Sequence, residues 1–229
     1  MRKFWGLFDN GTYRVGCNGT TIYVFNQENR ELAKFKDITY AYQGAFQPNT
    51  NIFVAKSIAG SLAVYDLDGL ILKKKISITR IGAQDEGFAF SPNGAYFYNI
   101  EKPKISTRTQ LTIYDTSDFS TKEILFSDRN QIVLDEIEFD ESYNCLVFGY
   151  FRDEKNFFDY GFVGKLIDRE LHQIKKIQPD LYRYMSSYFH WKRSGFTDRA
   201  LEWSSVRNYD NKTNSSLREL FDQAESLVL

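Results

Sequence analysis

Length, composition and charge describe a folded protein with no electrostatic preference for a partner. The 229 residues suffice for one large β domain or for a domain with an appendage. Hydrophobic residues form 42% of the chain and charged residues 26%, which excludes a disordered or collagenous protein. Its 29 basic and 30 acidic residues nearly cancel, so we expect neither nucleic acid nor an anionic membrane as a partner. The high aromatic content, 17%, favours pleated sheets over helix bundles.

The first residues predict no export signal, and no apolar run is long enough to span a membrane. The apolar stretch that follows the charged start breaks at Asp9, which is too short for a secretory signal. We therefore expect a cytoplasmic protein. Cys17 and Cys145 each lie in an apolar, strand-like run, and the sequence predicts buried, reduced thiols rather than a disulfide.

Three segments repeat one pattern, in which an apolar run ends in Phe and a polar turn leads to a second apolar run. They are residues 44–54, 88–98 and 137–147, with Phe46, Phe90 and Phe139 in equivalent places. This is the pattern of a β-hairpin. Third strands are predicted at 62–66 and 111–115, with a looser copy at 21–26. Fourth strands are predicted at 32–38, 70–76, 121–126 and 171–177.

The repeated unit is roughly 40 to 50 residues long, which is the period of a four-stranded propeller blade. The sequence predicts four modules, near 1–38, 39–80, 81–128 and 129–178. A lone sheet with two apolar faces cannot bury both, whereas sheets stacked around an axis cover each other. An irregular β-sandwich or barrel of meandering hairpins is the alternative.

Particular residues of the repeat point to a family. The run Phe90-Ser91-Pro92-Asn93-Gly94 resembles the strand-turn-strand hairpin of WD-repeat and YVTN-type β-propeller proteins. Tyr65-Asp66 and Tyr114-Asp115 stand where those proteins carry Trp-Asp. The resemblance covers about three quarters of the chain and implies a mainly β, propeller-like array of about four four-stranded blades.

After Pro179 the spacing of apolar residues becomes helical, so residues 179–229 are predicted to form a helical C-terminal extension. A first helix is expected to be capped by Asp180 and to end at Gly195. A second candidate, residues 197–206, fits a helix or a strand. The third begins with a capping box at residues 216–219 and carries an apolar stripe up to Val228. We expect the extension to pack on the β domain; docking on another chain, including a homodimer through the last helix, is the alternative.

Catalytic motifs are missing from the sequence, and one group of polar residues stands out instead. No Gly-x-Ser-x-Gly, P-loop or His-Glu-x-x-His motif occurs. Tyr42, Glu86 and Asp135 each lie four residues before the equivalent Phe of a repeat, and Glu136 follows directly. Innermost strands line the channel of a propeller, so these residues are predicted to meet at its mouth. Solvated loops between blades are the alternative place for them.

These features lead to two functional hypotheses. The first is a non-enzymatic protein-interaction module without a cofactor, for example a cytoplasmic inhibitor or immunity-type protein. The second is a calcium-assisted hydrolase resembling a lactonase, with Glu86 and Asp135 as oxygen ligands or general base. A sensor that binds a small ligand in the same channel differs from this enzyme only in lacking turnover.

Overall fold

The computed structural model describes residues 3–78, 83–103, 108–195 and 216–226, which form four antiparallel sheets and two helices. Sheet one holds β1 (Gly6–Asp9), β2 (Arg14–Cys17), β3 (Ile22–Phe25) and β4 (Glu31–Phe35). Sheet two holds β5 (Ala41–Phe46), β6 (Ile52–Ser57), β7 (Ser61–Asp66) and β8 (Ile71–Ser77). Sheet three holds β9 (Phe88–Phe90), β10 (Tyr96–Glu101), β11 (Gln110–Asp115) and β12 (Ser120–Leu125). Sheet four holds β13 (Ile132–Phe139), β14 (Cys145–Arg152), β15 (Phe158–Ile167) and β16 (Glu170–Ile177).

Each sheet contains four consecutive strands that pair in chain order within one predicted module, and the fourth sheet has one further strand beyond them. The first strands of the sheets are neighbours in space, β1 beside β5 and β9 beside β13, so they are the inner strands of a radial array. Phe46, Phe90 and Phe139 end the inner strands of sheets two to four, as the repeat predicts. The fold class is therefore confirmed as mainly β and propeller-like, and we call the sheets blades one to four.

The apolar faces of neighbouring blades are buried against each other, which accounts for the high aromatic content. Blades one and two share a core that contains Val24 and Phe53, and blades two and three share one that contains Val64 and Phe97. Blades three and four meet around Phe162. All of these side chains are fully buried. Burial of this kind contributes roughly 1.5–3 kcal/mol for each large side chain.

Helix α1 (Pro179–Arg193) follows blade four directly and covers the face of that blade that has no neighbouring blade. The prediction that Asp180 caps it is wrong: Gln178 is the N-cap and Pro179 opens the helix. Pro fits there because its missing N–H has no partner in the first turn and its φ is already helical. The helix ends as predicted, since Gly195 has a φ of 75° beyond it.

Helix α2 (Leu217–Gln223) begins with the predicted capping box, in which Ser216 and Glu219 each accept a hydrogen bond from the other's backbone. Its apolar side chains, Leu217, Leu220 and Phe221, are buried in the core that blade four shares with α1. Both described helices of the extension therefore pack on blade four.

The predicted length of this last helix is wrong. The chain leaves the helix at Ala224 and forms β17 (Glu225–Ser226), which pairs with the outer strand β16. The free edge of β16 offers backbone hydrogen bonds that a longer helix would leave unmade. The helix or strand predicted at 197–206, and Leu227 and Val228 of the stripe, lie outside the described residues.

The array has two ends, formed by different loops. One end, which we call the turn face, consists of the first hairpin turn of each blade, residues 10–13, 47–51, 91–95 and 140–144. The other end, the base, holds the connections 83–87 and 126–131 between blades and the turn 153–157 of blade four. Within the described part of the chain, neither helix has the length and apolarity needed to cross a membrane.

Both cysteines are buried and unpaired, as the sequence predicts. Burial raises the pKa of each thiol to about 12. A thiol of this kind is not a nucleophile near neutral pH.

Candidate functional site

A β-bulge stands at two of the three equivalent positions that the repeat singles out. The register of β5 shifts around Tyr42, and that of β13 shifts around Asp135. Glu86, the third equivalent residue, lies two residues before β9 begins. Bulges re-aim side chains and are frequent beside functional sites. The alignment of the repeats is therefore correct at the level of the backbone.

Three of the four predicted site residues come together. Glu86, Asp135 and Glu136 line a cavity of about 470 Å³ between α1 and the base of blades three and four, which we call the base cavity. Tyr42 lies elsewhere, half-buried between blades one and two. Its ring meets that of Trp5 with 6.5 Å between the centroids.

Each of the three carboxylates has a partner that the sequence did not reveal. Glu86 forms an ion pair with Lys102, which follows β10. Asp135 accepts a hydrogen bond from the hydroxyl of Tyr182, and Glu136 forms an ion pair with Arg193; both partners belong to α1. The sequence gives Arg193 only as part of the basic last turn of a helix, so nothing in its spacing could pair it with a strand far earlier in the chain.

Gly87 makes room for the Glu136 side chain. A Cβ atom added at Gly87 would stand 1.9 Å from Oε1 of Glu136. The Gly87 amide also donates to the carbonyl of Asp135, 2.7 Å away, which joins the connection before β9 to the bulge of β13. Close contact between blades three and four therefore depends on a glycine at this place.

Burial dominates the electrostatics of the cluster. It raises the pKa of Asp135 to about 6, although the Tyr182 hydrogen bond acts in the opposite direction. It raises the pKa of Glu136 to about 7, against the effect of Arg193. Lys56 of β6 is fully buried behind them, and burial lowers its pKa to about 8. Several side chains of the cluster thus gain or lose a proton close to neutral pH, which is common at binding and catalytic sites.

Calcium binding by Glu86 and Asp135 stays a prediction. Calcium takes six to eight oxygen ligands. In the ranges that the structure describes, no three or more His, Cys, Asp or Glu side chains are grouped so that they could hold a metal ion. The Lys102 ammonium and the Tyr182 hydroxyl moreover already contact the two carboxylates that the hypothesis needs.

A second space, which sequence reasoning missed, follows the inner strands from the cluster towards the turn face. This groove has a volume of about 740 Å³, and we call it the axial groove. Aromatic rings from blades three and four line it, namely Phe88, Phe90, Phe139 and Tyr143. Glu136 and Arg193 line both this groove and the base cavity, so their ion pair stands between the two spaces.

The Tyr-Asp dipeptide of blade three, Tyr114-Asp115, forms hydrogen bonds that stabilise the blade. The hydroxyl of Tyr114 donates to the buried carboxylate of Glu101, which also accepts hydrogen bonds from Asn99 and Thr112. Asp115 lies at the end of β11 and accepts from the amide of Ser117 in the following turn. These hydrogen bonds stabilise blade three from within. Neither Tyr114 nor Asp115 lines the base cavity.

Comparisons with known proteins identify the fold and no family. No protein-family model matches the chain, and no curated protein matches it. Among solved structures, hydrazine synthase from Kuenenia stuttgartiensis is similar, with a TM-score of 0.57 and 12% sequence identity over 74% of this chain and 52% of that chain. The chain thus spans about half the length of the solved chain it matches. As 761 solved chains are similar, the propeller-type fold is too widely shared to specify a function.

Proposed function

We propose that this protein is a non-enzymatic interaction module that binds another protein through its turn face. Side-chain hydrogen bonds tie the hairpin turn of blade one to that of blade two, and the turn of blade two to that of blade three. The Asn10 amide donates to Oδ1 of Asn51 at 3.0 Å, and the Gln47 amide donates to the carbonyl of Gly94 at 2.9 Å. A surface that is ordered before binding loses little conformational entropy when a partner docks.

The single observation that carries the proposal is the axial groove, which reaches the turn face beside an exposed aromatic ring. Tyr143 in the turn of blade four is 71% exposed and borders the groove. Exposed tyrosines beside apolar grooves are typical anchors of protein interfaces. Glu141 is exposed in the same turn. We therefore expect the partner to insert an apolar side chain of an extended segment into the groove and to place a basic side chain near Glu141.

An inhibitor or immunity-type protein would act in this way, since a segment of its target would be held and occluded in the groove. A cytoplasmic location belongs to the same proposal. Dimerisation through α2, the other predicted partner contact, would have to use the polar side of that helix, because its apolar residues are buried on blade four.

Affinity purification from the source lysate with two variants tests the proposal. Tyr143→Ala removes the ring beside the groove, and Phe157→Ala removes a ring of similar exposure, 68%, at the base. We expect a partner that the wild type and the Phe157→Ala variant retain and that the Tyr143→Ala variant loses, read out by mass spectrometry. Recovery of the same proteins with all three would contradict binding at the turn face.

A further inference from the structure

Two buried polar atoms of residues that line the base cavity have no hydrogen-bond partner among the described residues, namely Oε2 of Glu86, an acceptor, and Nε of Arg193, a donor. The Glu86 side chain is only 5% exposed, and its Oε1 atom is paired with Lys102. Its Oε2 atom is buried and has no hydrogen-bond partner. A buried carboxylate oxygen without a donor destabilises the fold, so a ligand that supplies a donor here would relieve this cost.

The charge of the cavity wall defines the ligand further. Four carboxylates line it, those of Asp85, Glu86, Asp135 and Glu136, against two cations, Lys102 and Arg193. Lys56, whose buried ammonium donates to the backbone carbonyls of Glu86 and Ile100 at 2.7 and 2.8 Å, adds a third cation behind the wall, so one carboxylate remains in excess. The ionised wall therefore carries an excess of negative charge, which attracts a cation and disfavours an anion.

The remaining wall combines aromatic rings with the polar side chains of Ser186, Ser187 and His190. Phe148 of β14 and Phe189 and Trp191 of α1 supply the rings. Such rings bind an alkyl chain by apolar contact and a cationic head through their faces. A volume of about 470 Å³ is suitable for a small molecule.

We propose that the base cavity binds a small organic cation, a primary alkylamine in its ammonium form, whose head donates to Oε2 of Glu86 and whose alkyl chain lies against the rings of α1. An ammonium group has three donors on one atom. It needs fewer free oxygens than calcium, whose ligands are lacking here in the described ranges. This site lies at the base, away from the turn face. The inference therefore goes beyond the proposed function and does not depend on it.

Isothermal titration calorimetry of the full chain with butylamine tests the inference, with butanol as the neutral isostere and calcium chloride as the metal probe. We expect saturable binding of butylamine and none of butanol or calcium. Equal binding of butylamine and butanol, or no saturable binding of butylamine, would overturn it. Binding of calcium in place of the amine would overturn it in favour of a metal site.

Two variants and a control locate the site. Glu86→Gln removes the charge of the proposed acceptor and should weaken butylamine binding roughly tenfold or more. Glu141→Gln removes the same charge from the turn face and should leave binding as in the wild type. Lys102→Met frees the second oxygen of Glu86, so butylamine should bind roughly tenfold more tightly. This gain cannot arise from misfolding, and unchanged or weaker binding by the Lys102→Met variant would refute the assignment.

Discussion

Replacing Glu136 by Gln should change how the stability of the protein depends on pH. The carboxyl group of Glu136 binds its proton more tightly in the folded than in the unfolded chain, because burial raises its pKa from 4.5 to about 7. The folded state is therefore favoured below the unfolded-state pKa and loses stability as pH rises from about 4.5 to about 7. Between these two pKa values the loss amounts to roughly 3 kcal/mol. Gln cannot ionise, so this loss is missing in the variant.

Urea unfolding of wild type and variant at about pH 5 and about pH 8 measures the effect. The free energy of unfolding of the Glu136→Gln variant should rise relative to the wild type by roughly 2–3 kcal/mol between these pH values. Glu141→Gln, which removes a carboxylate from an exposed turn, should leave the pH dependence of the wild type unchanged. A difference between Glu136→Gln and wild type that stays constant with pH would refute the assignment. A fall in the free energy of unfolding of the variant relative to the wild type between about pH 5 and about pH 8 would mean that Arg193, and not burial, dominates.

Three further predictions concern the surroundings of the cluster. Phe148 is fully buried and stacks on Tyr182, so Phe148→Ala should lower the free energy of unfolding by about 3–5 kcal/mol. Phe157 is exposed, so in the same urea titration Phe157→Ala should change the free energy of unfolding by less than about 0.5 kcal/mol. Gly87→Ala brings a methyl group against Glu136 and should cost about 1–3 kcal/mol, seen as a lower thermal midpoint; an unchanged midpoint would show that the blades separate easily. Because Lys102 and Tyr182 hold the predicted calcium ligands, millimolar calcium should not shift the midpoint; a rise that a chelator reverses would support the calcium-assisted hydrolase instead.

Sequence patterns were sufficient for the blades because each blade is formed by local interactions. The Phe residues that end β5, β9 and β13 mark equivalent places in three repeats, and the turns after them contain the Gly, Asn and Asp residues that such turns require. Alternation of apolar residues with period two fixes which residues are in strands. The capping box of α2 was equally readable, because its two partners are three residues apart.

The ends of elements were less predictable. Asp180 is a good cap by residue type, but Pro179 and the extended Gln178 before it place the first turn two residues earlier. The stripe that continues beyond Gln223 is compatible with a longer helix. Only the neighbouring edge of β16 decides that residues 225–226 form a strand. Such decisions depend on tertiary contacts that outweigh local propensity.

The sequence by itself determined four sheets, their order and the equivalence of Glu86 and Asp135, because these follow from periodic patterns along the chain. Only the tertiary structure decided which charges meet. Arg193 and Glu136 are 57 residues apart, and the stacking of blades and the course of α1 bring them together. It also decided that Tyr42, equivalent by position, is excluded from the cavity. An ion pair between distant residues depends on the position of whole elements in space, and no short-range pattern of residue types contains that information.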